Sequence, residues 1–348
     1  MTNNNRPSGS QAMPQFRTSL ELKRFAMPVV LVAVAALAPI VLGDYALRVG
    51  TTVLMYVALA QAWNLVGGYA GLLSLAHPAF FGTGALAMAV MVINGVPLML
   101  ATALAMMISV VVALLVAVPT LRLRGHYFVI GTLLVAEGVR NLVINLNFSS
   151  WNFRGGIAVN ILSSTGLDSL SSSEYNLLFY FLMLVMASLA TFIVIGLDYS
   201  RWGAALRAFR DDRTAAAAVG VPATALLIVI FVISAAVTSL TGSVWAAWLG
   251  VIEANEAYAL KLTFMIVVIV FLGGKGTVWG PMIGAVIMLL LDEVIGVEFA
   301  EYTFLTSGII VIAIVLFLPD GLVRLLREGP KAISPASLRA NYRRYRVS

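Results

Sequence analysis

The chain has 348 residues, 61% hydrophobic and 11% charged, with a mean hydropathy of +0.97 and a formal charge of +6. Soluble domains carry roughly a quarter charged residues, so this composition excludes an ordinary soluble fold and makes lipid the solvent for most of the chain. Nucleic acid is not an expected partner, because the 22 Lys and Arg fall in clusters between apolar runs, as membrane topology requires. With no cysteine, disulfides, thiolate metal sites and cysteine nucleophiles are removed.

The expected order is a polar leader over 1–26, a membrane domain over 27–319 and a basic tail over 320–348. The leader lacks the small-residue pattern of a cleavage site, so the run from Met27 reads as a retained helix. A crossing takes about 20 apolar residues. Spans are therefore expected near 27–47, 51–67, 78–95, 98–119, 127–146, 176–197, 224–249, 262–275, 280–296 and 303–319, an all-α polytopic bundle. Lys and Arg in short loops mark the inner side. They place the leader, Arg122, Arg124, the stretch 198–223, Lys275 and the tail inside, with both termini cytoplasmic. Arg48, Arg154 and Lys261 fall outside, together with Glu174, Glu253, Glu256, Glu298 and Glu301.

Residues 63–83 read WNLVGGYAGLLSLAHPAFFGT. Gly67, Gly68 and Gly71, followed by Pro78, oppose a continuous helix. Broken backbone at membrane depth survives only when buried in protein or lining a wet cavity, and interrupted helices often hold transport sites. Asn64, Gly67, Gly68, Ser74 and His77 are thus candidate pathway residues, against the plainer reading that small residues let helices pack closely. A weaker echo, FLGGKGTVWGPMIGAVIM, begins at Phe271 and hints at an internal repeat.

Within the fifth run Glu137 lies ten positions from Tyr127, about 15 Å along a helix and near the midplane. Arg140 is on the same face at i+3. Two readings stand: a pair lining the pathway, or a neutralised pair locking helices together. His77 and His126 form no metal-ligand pattern.

The stretch DYSRWGAALRAFRDDRTAAAAVGVPATA, 198–225, is too polar to span. One amphipathic helix is expected over Ala204–Val219, with Gly220 and Pro222 as its stop. Gly203, Ala205, Leu206, Arg207, Ala208, Arg210, Asp212, Ala215, Ala216, Ala218 and Gly220 give this stretch a resemblance to the permease subunits of branched-chain amino-acid ABC importers. The resemblance extends to QAWNLVGGYAGLLSLAHPAFFGTGA, LRLRGHYFVIGTLLVAEGVRN, FLGGKGTVWGPMIGA and LFLPDGLV, from about Val53 to Val323.

The resemblance implies that the cytoplasmic helix seats on an ATPase subunit through Arg207, Arg210, Asp211, Asp212 and Gly220. It also implies a second permease subunit, two ATPase subunits, an external solute-binding protein and a bacterial inner membrane. The chain departs from the family pattern at Ala217 and Arg213, and at Phe153–Arg154–Gly155–Gly156 after the fifth run. No G-x-x-x-x-G-K-[ST] loop is present, so this chain is expected to bind no cofactor, with ATP and Mg on the partner subunits. Urea, amides and other amino or organic acids are alternative solutes for such relatives. Two other classes compete: an ion-coupled secondary transporter using Glu137, and an intramembrane enzyme using Ser74 and His77. No nucleophile-elbow motif surrounds Ser74.

Overall fold

In hydrocarbon every backbone N–H and C=O must be satisfied within the segment, so long apolar runs fold as helices. The structure is a computed structural model, and it describes residues 27–148, 153–154, 159–161, 164, 166–298 and 321–323. Its helices are α1 (Met27–Ile40), α2 (Asp44–Asn64), α3 (His77–Ile93), α4 (Leu98–Thr120), α5 (His126–Asn145) and α6 (Ser172–Asp198). They continue as α7 (Arg201–Asp211), α8 (Arg213–Ala218), α9 (Ala223–Leu249), α10 (Ala254–Ala257), α11 (Leu260–Gly273) and α12 (Trp279–Glu298).

The chain is an all-α polytopic bundle. Six helical stretches among the described residues are long and apolar enough to cross a membrane: Asp44–Tyr69, α4, α5, α6, α9 and Ala254–Gly273. Helices α1 and α3 are apolar but shorter. The expected count of ten spans is therefore not reached by length and composition, and the tenth expected run, 303–319, lies outside the described residues.

Helix α2 is central, packing on α6, α9, α11 and α12, while α9 also packs along α3 and α4. The interior is filled by aromatics: Phe80 meets Phe231 edge-on at 5.5 Å, and Phe81 lies 5.1 Å from the Trp245 ring. Serine and threonine line α9 on its packed side. Ser234, Thr238, Ser239, Thr241 and Ser243 are all buried, and Ser243 Oγ donates to Gly84 O at 2.9 Å. Small hydroxyl side chains admit close helix approach, and each finds a backbone acceptor.

Three features differ from expectation. The first break falls at residues 41–43, not near 47–51, because Gly43 precedes the acidic first turn of α2 at Asp44. Arg48 thus lies inside α2. Short antiparallel pairs, Asn147–Phe148 with Phe153–Arg154 and Val159–Asn160 with Val251–Ile252, tie down the α5–α6 connection. The single helix expected over Ala204–Val219 is two helices, α7 and α8. Asp212 divides them, accepting from the Thr214 and Ala215 amides at 2.7 and 3.0 Å as the N-cap of α8.

Candidate functional site

Helix α2 does not end cleanly. Residues Leu65–Tyr69 continue it as a π-helix, and an irregular stretch then leads to α3. This backbone lies mostly buried in protein, one of the two settings in which such structure persists at membrane depth. Helices α2 and α5, and the π-helix itself, hold it by hydrogen bonds. Trp63 Nε1 donates to Ser74 O at 2.8 Å, Leu75 N donates to Thr132 Oγ1 at 3.0 Å, and Leu72 N returns to Val66 O.

The second broken segment, between α11 and α12, meets the first directly. Asn64 Oδ1 accepts from Gly276 N at 2.8 Å, Asn64 Nδ2 donates to Thr277 O at 2.9 Å, and Gln61 Nε2 donates to Val278 O at 2.8 Å. Gly68 is required here, since a Cβ would collide with Asn64 Oδ1 and the Gly276 amide. The two glycine-rich stretches that the sequence sets more than 200 residues apart therefore form one clasp.

Other sequence candidates sort differently. His77 does not pair with Ser74. Its Nε2 lies 2.9 Å from Ser234 Oγ, which itself donates to Ala62 O at 2.7 Å, so the ring nitrogen supplies the proton to Ser234. Ser74 Oγ accepts from Ala76 N at 3.3 Å. A nucleophile–base pair has no geometry here. Gly67 sits against the Trp63 indole.

Glu137 and Arg140 form an ion pair at 3.0 Å, each side chain about one-third exposed. Arg140 Nη2 also donates to Asn255 Oδ1 at 2.8 Å, and Asn255 Nδ2 donates to Glu253 Oε1 at 3.0 Å. With Asn141 and Asn145 following at successive i+4 positions, α5 carries a polar line on a span of whose apolar window only 17% is buried. Of the outer acids, Glu174 closes a capping box with Ser171 at the start of α6. The side chain of Glu298, and all of Glu301, lie outside the described residues.

At the opposite end of α6, Arg207 donates to Asp198 Oδ1 at 2.6 Å and to Asp198 O at 3.1 Å, capping α6 and fixing α7 beneath it. Arg210 reaches into the bundle, its Nη1 donating to Gly68 O at 3.0 Å. Asp211, Asp212 and Gly220 are exposed, Gly220 turning the chain with φ +79°. Arg213 lies over the Phe209 ring at 4.8 Å. The carboxyl of Asp212 is held below the usual carboxylate range by the Ala215 and Thr214 amides. Sequence reasoning missed Ser234, Thr132 and Gln61; the hydroxyl spacing along α9 was the available signal for the first.

Comparison with known proteins follows the same outline. The chain is 28% identical over 335 residues to the high-affinity branched-chain amino acid transport system permease protein LivM of Salmonella typhimurium, covering 90% of this chain and 78% of the relative. It is 25% identical to LivM of Escherichia coli over the same shares, and 26% identical over 240 residues to a probable LivM of Methanocaldococcus jannaschii, 65% of this chain and 68% of that one. No solved structure matches the chain. The family model described as branched-chain amino acid transport system / permease component matches residues 45–318, and the chain belongs to that family.

Proposed function

We propose that this chain is one permease subunit of an ATP-driven importer of branched-chain amino acids, set in the bacterial inner membrane with both termini cytoplasmic. It carries no ATPase site of its own. ATP and Mg are bound by two partner subunits, a second permease completes the pore, and an external solute-binding protein delivers the solute. The observation that carries this reading is helix α7, fixed under the ends of α2 and α6 while α7 and α8 turn an exposed face outward. Asp211, Asp212, Arg213 and Val219 are exposed there, a charged and apolar surface of the kind that seats on a soluble partner.

The polar line of α5 supports the two-permease assembly. An ion pair midway along a weakly buried span does not face hydrocarbon cheaply. Cover by the second permease, with the pathway between them, removes that cost. The secondary-transporter reading is disfavoured because Glu137 is committed to Arg140. The test is uptake of labelled leucine, isoleucine and valine by cells lacking this chain. Uptake restored by plasmid expression supports the assignment; unchanged uptake in the deletion strain refutes it for those solutes, and the same assay with urea, amides and other amino acids then identifies the solute.

A further inference from the structure

The resemblance places Arg210 on the ATPase contact; its side chain, one-third exposed and with Nε 3.4 Å from Asp211 Oδ1, directs Nη1 into the bundle. Two glycines make the space for it. A Cβ at Gly71, where φ is +70°, would lie 2.6 Å from Arg210 Cγ, and a Cβ at Gly276, also at φ +70°, would lie 2.7 Å from Arg210 Nη1. Gly68 supplies the acceptor, a carbonyl left over where the π-helix ends, which Nη1 reaches at 3.0 Å. The Gly68 peptide adjoins the Asn64–Gly276 clasp, so one guanidinium touches both broken segments.

Helix α7 therefore has two side-chain anchors one turn apart. Arg207 ties it to the end of α6, and Arg210 ties it to the two interrupted spans. Arg207 also lies 6.0 Å from the Tyr69 ring, but Arg210 is the one of the two that hydrogen-bonds the backbone where the regular helical ladder is interrupted. We propose that Arg210 is the positioning residue through which displacement of α7 reaches the two broken segments, working inward from the cytoplasmic helix rather than on the ATPase surface. This rests on the ABC-permease reading above. The guanidinium suits the task because its planar fork holds a carbonyl while its stem fills the glycine socket, which a lysine ammonium does less rigidly.

The experiment reconstitutes the complete transporter in proteoliposomes and measures solute taken up per ATP hydrolysed. Arg210→Ala should still co-purify with both ATPase subunits and the second permease, yet transport about tenfold less solute per ATP, the scale of an ordinary coupling free energy. Arg210→Lys should fall between. Gly71→Ala keeps the arginine but displaces its stem, and should reproduce the Arg210→Ala ratio. Loss of ATPase co-purification in Arg210→Ala would overturn the proposal, because it would put Arg210 on the docking surface. An unchanged ratio in Arg210→Ala and Gly71→Ala would overturn it equally. Absence of ATP-dependent uptake in the wild-type complex would instead sink the parent reading.

Discussion

Asn64 and Gly276 are joined across 212 residues of sequence by a hydrogen bond from the Gly276 amide to Asn64 Oδ1 at 2.8 Å. With Asn64 Nδ2 on Thr277 O, one fully buried side chain satisfies an amide and a carbonyl of two different peptides in the second broken segment. Unsatisfied buried groups cost roughly 1–3 kcal/mol each. Asn64→Leu is expected to strand the Gly276 amide and Thr277 carbonyl and to destabilise the chain by about 2 kcal/mol or more. Asn64→Asp keeps the acceptor but loses the donor and buries a charge, so it should be no better. Thermal unfolding in detergent, compared with an Asn94→Ala control at an exposed turn, checks both.

Asp212 sets the junction between α7 and α8. Its folded carboxyl titrates below the usual range, so its cap is fully present above the unfolded value near 3.8 and is lost as pH falls through the lower folded value. Protection factors at the Thr214 and Ala215 amides, taken relative to intrinsic exchange at each pH, should therefore be unchanged between pH 7 and pH 5. Asp212→Ala should raise exchange at both amides already at neutral pH, whereas Asp212→Asn, also an N-cap former, should largely retain protection.

The Glu137–Arg140 pair should show non-additive behaviour. Glu137→Gln or Arg140→Gln alone leaves one charge unpaired at membrane depth, and each should lower the amount of assembled transporter several-fold. The double variant Glu137→Leu/Arg140→Leu removes both charges. Restored assembly with poor uptake assigns the pair to the solute route, while restored assembly with normal uptake assigns it to helix locking.

His77 and Ser234 link α3 to α9, and Ser234 carries the link on to α2 through Ala62 O. Ser234→Ala removes the acceptor for the His77 ring proton and the donor to Ala62. It is expected to destabilise by about 1–3 kcal/mol. His77→Ala in addition should cost little more on this link, because the pair acts as one unit.

Much of this was legible in the chain. Apolar run length placed most helices, and Gly67, Gly68, Gly71 and Gly276 marked both interrupted segments, because glycine punctuates helices whatever surrounds it. The break at Asp212 also had a local signal, since Asp before Arg-Thr-Ala is a helix start; alanine content outweighed it in a single-helix reading. What could not be read is non-local. Spacing put Arg207 and Arg210 nearly on one face of a helix, but not which side of it the bundle occupies. Likewise Ser74 was the sequence neighbour of His77, whereas packing of α3 on α9 brought Ser234 to it instead.

The central claim is that this chain moves solute only when ATP hydrolysis by separate subunits acts on its cytoplasmic helix. The most direct measurement is leucine uptake into proteoliposomes holding both permease subunits and the solute-binding protein, with and without the two ATPase subunits and internal MgATP. Uptake that appears only when ATPase subunits and MgATP are both present is the predicted result. Concentrative uptake by the permease chain without them, driven by a proton or sodium gradient, would contradict the account.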